Sequence, residues 1–199
     1  MNLTHFISKI KQLGIGRTNR FRMNIAVPKA LTGKLTKLMK TTVNEHLSFT
    51  VGNASIPSKT ISTNSVLAPG AEQKYPYAPE MEDITISFVC TREYAERKFI
   101  DAWMNEVVQM HGGSFTIGYR KDYETELKLQ VFDEHDKQID QIDFSACFPL
   151  SASAIELTQE EQTEMPTFEV VFQIDYWSRP ISSEWLDKIK DPPKTTPET

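Results

Sequence analysis

Few residues in this sequence stand where chemistry needs them. His111-Gly112-Gly113 has the composition of an oxyanion-hole loop, but no G-x-S-x-G elbow accompanies it, so the glycines read as the end of a helix. Glu45-His46 lacks the second histidine of H-E-x-x-H, and His5, His46, His111 and His135 show no ligand spacing. Asp140 with Asp143, and Glu160 with Glu161, are the residue types of general acid–base work; with no pocket signal beside them, a solvated acidic surface accounts for both pairs. Cys90 and Cys147 lie far apart without a C-x-x-C partner and read as small core residues in a reducing compartment. The 8 glycines form neither G-x-G-x-x-G nor G-x-x-x-x-G-K-[ST], the spacings that let backbone N–H groups cradle phosphate. A protein that is not an enzyme, with no metal and no cofactor, is expected.

The elements around these residues belong to a chain that folds. Of 199 residues, 39% are hydrophobic and 25% charged, which argues against disorder and suits one well-buried domain. No segment approaches the roughly 20 apolar residues of a membrane span. The N-terminus lacks the apolar core and cleavage site of a secretory signal, so export is not expected. The net charge of −5 hides an asymmetry. Residues 1–44 carry nine Lys or Arg and no acid, leaving −14 on the remainder. Such polarity suits a basic arm on nucleic acid or one subunit's basic end on the next subunit's acidic face.

Periodicity places the elements. Leu3, Phe6, Ile7, Ile10 and Leu13 predict a short amphipathic basic helix closed by Gly14. Residues 20–27 alternate as a half-buried strand, 28–46 read as an inserted basic loop with a short helix, and 47–51 alternate again. The Ser/Thr/Asn/Gly/Pro-rich stretch 52–80 is too long for an ordinary loop; extended strands buried only on assembly would fit it. Residues 83–91 form a strand with Ile86, Phe88 and Cys90 on its clean face. From Arg92 to Met110, apolar residues at three- and four-residue steps predict a helix capped by Thr91. Strands follow at 115–119, at 127–132 and 138–144 as a hairpin, and at 167–177; a helix near 184–190 precedes a Pro/Thr tail. The candidate core is Phe21, Phe88, Phe99, Trp103, Phe148, Phe168, Phe172 and Tyr176.

Three stretches, in order, resemble the tail tube protein family of contractile-tailed bacteriophages. GIGRTNRFRMNI (14–25) is similar to that family's G-x-x-R-x-N-x-F pattern at the first strand. EYAERKFIDAW (93–103) is similar to its R-K-F-x-D-x-W helix. FSACFPLSASAIEL, an acidic linker and TFEVVFQIDYW (144–177) resemble its F-P-x-x-V-x-x-L followed by T-F-E-V-x-x-x-x-D-Y-W. The resemblance implies a mainly β protein, a small antiparallel β-barrel or sandwich with one flanking helix, assembling as hexameric rings stacked into a tube through which phage DNA is ejected. It implies a basic arm (1–19), a tube domain (20–178) with an inserted loop (28–46), and a C-terminal extension (179–199). Partners would be copies of itself, the sheath, the baseplate tube initiator, the tail terminator, and the tape-measure protein and DNA in the lumen, with no membrane. Assembly would take place in the host cytoplasm and the product would be part of the virion.

On this resemblance Gln141 and Asp143, with Lys128 and Gln130, are the lumen-facing candidates. Lys34, Lys37, Lys40, Lys59, Ser65, Leu67, Lys74, Tyr75 and Tyr77 are candidates for contacts between subunits and rings. Residues 138–178 hold eight acids and no base. DNA affinity comes from Lys and Arg neutralising phosphate, so an acidic or neutral wall lets DNA pass. The insertion and the tail exceed the minimal family pattern, which leaves a baseplate tube protein that starts the tube as an alternative. A nucleic-acid-binding module using the basic first 44 residues is a more distant one.

Overall fold

The structure, a computed structural model, describes residues 19–32, 34, 37–66, 72–157 and 165–180; of 37–42 and of His111 it describes the backbone alone. The helices expected at 3–13 and near 184–190, the Pro/Thr tail and Leu67 lie outside these residues. In chain order the elements are β1 (Phe21–Ile25), α1 (Lys29–Thr32), α2 (Lys37–Thr50), β2 (Val51–Ala54), β3 (Lys59–Val66), β4 (Gln73–Met81), β5 (Ile84–Val89), α3 (Ala95–Val107), β6 (Val108–His111), β7 (Ser114–Ile117), α4 (Arg120–Tyr123), β8 (Thr125–Phe132), β9 (Gln138–Ala152), β10 (Thr167–Gln173) and β11 (Tyr176–Ser178).

Seven strands make one antiparallel sheet, in the order β1-β8-β9-β10-β5-β2, with β11 continuing the β10 edge of β9. The 15-residue β9 serves both halves of the sheet. It pairs with β8 up to Cys147 and with β10 from Phe148 onward. A register shift opposite Thr125–Leu127, with Ala146 at φ 56°, supplies the extra residue and the bend. The 167–177 strand is interrupted at Ile174–Asp175, where Asp175 N–H donates to Ser145 O at 3.3 Å.

The expected barrel does not close. β1 and β2 are the two ends of the strand order and share no ladder among the described residues. Instead α2, which runs directly into β2, lies against β1. The strand read at 47–51 is the end of this helix. Its Leu47, Phe49 and Val51 alternate in sequence, but Leu47 is buried while Phe49 is exposed, so they share no strand face.

The core lies between the curved sheet and the helices. Met23, Ile25, Leu127, Leu129, Ile142 and Phe144 come from one half; Ile84, Ile86, Phe88, Phe168, Val170 and Phe172 come from the other. Ile84 joins Ile86, Phe88 and Cys90 on one face of β5, as strict alternation requires. From α3, Phe99, Ile100 and Trp103 enter the core at helical spacing. The Trp103 ring lies 5.6 Å from Phe172, and its Nε1–H donates to Tyr123 O at 2.7 Å, so its polar atom is satisfied inside the core. Phe88 and Phe168 face each other in register, with centroids 5.5 Å apart. Phe21 and Phe148 are partly buried against this cluster. Tyr176 is the exception to the expected core: it is 54% exposed, because the interruption at Ile174–Asp175 turns its ring outward.

The helix begins later than expected. Tyr94, at φ 52°, is the residue before α3, and Thr91 makes no cap. Glu96, buried in the first turn, accepts from Thr91 N–H at 3.2 Å and Thr91 Oγ1–H at 3.1 Å through one oxygen. Its other oxygen lies 2.5 Å from His46 Nε2, a contact that ties α2 to α3.

Candidate functional site

The polar side of β1-β8-β9 carries the most organised side-chain network of the described residues. Alternation sends Met23, Ile25, Leu127, Leu129, Ile142 and Phe144 into the core. It therefore sends Arg22, Asn24, Lys128, Gln130, Gln141 and Asp143 to the opposite face. Register sets them in rows: Arg22 opposite Gln130 and Gln130 opposite Gln141, then Asn24 opposite Lys128 and Lys128 opposite Asp143. All four sequence-predicted lumen candidates, Lys128, Gln130, Gln141 and Asp143, are thus brought together.

The amides form a chain that runs in one direction. Asn24 Nδ2–H donates to Gln130 Oε1 (3.1 Å), Gln130 Nε2–H to Gln138 Oε1 (3.0 Å), Gln138 Nε2–H to Gln141 Oε1 (2.9 Å), and Gln141 Nε2–H to Asp143 Oδ1 (2.8 Å). Each amide donates and accepts once within the chain between its ends, and the last donor meets a carboxylate, the strongest acceptor present. Asn24 and Gln138 were not singled out in the sequence; the signal for Asn24 was its period-two position between Arg22 and the end of β1.

The charge of this face is balanced rather than acidic. Arg22 and Lys128 stand with Asp143 and Glu126, and the Arg22 guanidinium sits 5.8 Å over the Phe132 ring. Of the other acids in 138–178, Asp140 pairs with Arg179 at 3.3 Å and Asp175 pairs with Arg120, so both are engaged elsewhere. The cations of the face, Arg22 and Lys128, are offset by Glu126 and Asp143, and the face shows no nucleophile activated by a base. Among the described residues no group of three His, Cys, Asp or Glu is placed to hold a metal ion. Burial pushes the Cys147 thiol up to about 12 and raises Cys90 as well, so neither is a ready thiolate. Among the described residues no helix is long and apolar enough to cross a membrane.

Two ribbons stand off the main sheet. β3 and β4 pair over Lys59–Val66 and Gln73–Met81, so most of the described part of the long polar stretch 52–80 forms this ribbon. It carries the predicted contact residues Lys59, Ser65, Lys74, Tyr75 and Tyr77, nearly all exposed. Lys59 Nζ sits 5.7 Å over the Trp177 ring at the ribbon base, and Tyr75 Oη donates to Gln73 Oε1 at 2.7 Å. Of the basic trio, Lys34 is paired within the chain with Glu106, while Lys37 and Lys40 lie in α2 with only their backbone described.

Of the second ribbon, β6–β7, β7 is the strand expected at 115–119, while β6 and the turn between them read in sequence as the preceding helix and its end. Gly112 and Gly113, read as a helix end, are its two-residue turn, with φ of 56° and 89°. Positive φ at both positions is the type I′ geometry whose twist suits a hairpin. The alternation Val108-Gln109-Met110-His111, then Ser114-Phe115-Thr116-Ile117, around Gly-Gly was the available signal.

The fold is shared with chains of solved contractile injection systems. The sheath–tube complex of PVC, an extracellular contractile injection system, contains a chain similar at a TM-score of 0.58 and 12% identity, over 88% of this chain and 97% of that one. The tube-terminating cap of the anti-feeding prophage, AFP, is similar at 0.58 and 13%, over 85% and 93%. A chain of the AFP baseplate reaches 0.54 at 7% identity, over 84% and 96%. No curated protein sequence matches the chain. The profile of the phage tail tube protein family matches residues 16–180, a span that takes in every strand of the described residues, the amide face and both ribbons, and the chain belongs to that family.

Proposed function

We propose that this protein is the inner tube subunit of a contractile phage tail, stacked as hexameric rings around a channel for DNA, and that the amide face lines that channel. The single observation that carries the reading is the Asn24–Gln130–Gln138–Gln141–Asp143 chain. Amides committed to one another present a wetted, neutral surface. The two cations of the face, Arg22 and Lys128, stand among Glu126 and Asp143, so the wall carries no net positive charge to hold the duplex by counterion release. Charge on the wall reaches only DNA passing within the Debye length of about 8 Å at cellular salt. The tube is a conduit with no catalysis and no cofactor.

The polar β3–β4 ribbon supplies contacts between subunits and rings through Lys59, Ser65, Lys74, Tyr75 and Tyr77. Its unpaired edges are the kind that a lone monomer must protect and that assembly covers. Lys34, Lys37 and Lys40 belong to the basic surface that meets a neighbour's acids. The PVC complex that contains a chain of this fold is a sheath–tube complex; a sheath outside, a tube initiator and terminator at the ends, and a tape-measure protein and DNA inside complete the proposed partners.

Electron microscopy of the purified full chain, concentrated and incubated alone with light scattering on the same sample, tests this. Rings or open-ended tubes with a central channel are expected. Monomers at every concentration would favour the baseplate tube protein that starts the tube. Retention of duplex DNA with a steep salt slope would favour the nucleic-acid-binding module.

A further inference from the structure

The β6–β7 ribbon is amphipathic in an unusual way. Register places Val108 opposite Ile117 and Met110 opposite Phe115, so these four side chains share one face, while Gln109 and Thr116 share the other. Met110 is 83%, Phe115 66% and Ile117 68% exposed. Twelve residues, 108–119, pass without an Asp, Glu, Lys or Arg. The ribbon is nonetheless held firmly. Its Gly-Gly turn is preset, and Gly118 N–H donates to Val107 O at 3.0 Å. A Cβ on Gly118 would meet Glu106 O at 2.4 Å, so the ribbon root is pressed against the end of α3. An isolated two-stranded ribbon is marginal in water, and one with a dry face aimed at solvent needs a cover.

The other end of α3 presents a matching surface. Arg97, in the first turn, donates to Ser153 O, and Cys90 N–H donates to Pro166 O at 2.8 Å, which fixes the 150–157 and 165–166 segments beside the helix start. Leu150, Leu157 and Met165 are exposed there. Residues 144–155 are a second run of twelve without a charge. From Arg97 to Val107 the helix rises about 15 Å, so the ribbon and this strip lie at opposite ends of one rigid element. A duplex or an anionic membrane needs cations that the ribbon does not have, whereas a largely apolar strip, with Glu156 the one charge between 150 and 157, matches it.

We infer that the apolar face of the β6–β7 ribbon docks on the Leu150–Leu157 strip of a second copy of this chain, as a head-to-tail contact. Two unlike patches at opposite ends of the subunit make a heterologous interface, which closes into a ring or propagates into a filament. The inference rests on the self-assembling tube reading.

The test uses the full chain. Both native cysteines are buried, so Met110→Cys and Leu150→Cys proteins carry one accessible thiol each. Mixed, assembled and treated with a short bismaleimide, they give a crosslinked dimer that neither gives alone. Separately, Phe115→Ser with Ile117→Ser raises the concentration needed for half assembly by on the order of tenfold or more, while the unfolding midpoint and assembly of Gln109→Ser stay at parental values. If the double variant assembles at the parental concentration, or assembled mixtures give no mixed crosslink, the docking inference falls and the tube reading stands. If the parental chain never self-associates, both fall.

Discussion

The layer between the sheet and α3 and the two projecting ribbons solve the same problem in opposite ways. In the first, Trp103, Phe88, Phe144, Phe168 and Phe172 are fully enclosed. In the second, Met110, Phe115, Ile117 and Tyr77 stand in water on strands that belong to two-stranded sheets. The apolar content of the strands does not separate these regions; the presence of a covering layer does. The subunit's own stability and its association are therefore carried by different residues, and each can be altered without the other.

The largest expected effect breaks the enclosed side. Trp103→Ala removes the ring between Phe99 and Phe172 and strands Tyr123 O, and costs about 3–5 kcal/mol, read from chemical denaturation. Next comes the junction of the two regions: Gly118→Ala forces a Cβ toward Glu106 O and lowers stability by about 1–3 kcal/mol, with the ribbon displaced from α3. A pH titration probes the enclosed side through Cys147. Its thiol is held up to about 12 by burial, against an ordinary value of 9. The unfolded chain therefore gives up this proton first, and the stability present below pH 9 is lost as pH rises toward about 12, by about 1.4 kcal/mol per pH unit for this group. Cys147→Ala reduces that slope. The smallest effect on folding sharpens the comparison from the other side: Phe115→Ser changes unfolding free energy by less than about 0.5 kcal/mol, although it weakens association.

The sequence made the enclosed side legible because its periodicities are clean. Ile86, Phe88 and Cys90 on β5, and Phe168, Val170 and Phe172 on β10, alternate as buried strands do. Phe99 and Trp103 keep helical spacing. Lys128, Gln130, Gln141 and Asp143 were found together for the same reason, since fixing the buried set of a strand fixes its outer set. Three features were obscured. Leu47–Val51 alternates at the end of a helix, where helical geometry overrides a short period-two pattern. Tyr176 lies past a break, so counting parity from Phe168 assigns it to the wrong side. The β6–β7 ribbon begins directly where α3 ends, so Val107 and Met110 extend the helical pattern into a strand, and Gly112-Gly113 serves equally well in sequence as a helix stop or a hairpin turn.

The most direct test of the central claim, that the amide face is the wall of a channel built by copies of this chain, is a cryo-electron microscopy reconstruction of the assembled protein at side-chain resolution. The account predicts a hollow tube with Asn24, Gln130, Gln141 and Asp143 on its inner surface and both ribbons in contact with neighbouring copies. A tube with that face turned outward, or covered by a neighbouring subunit, would contradict it.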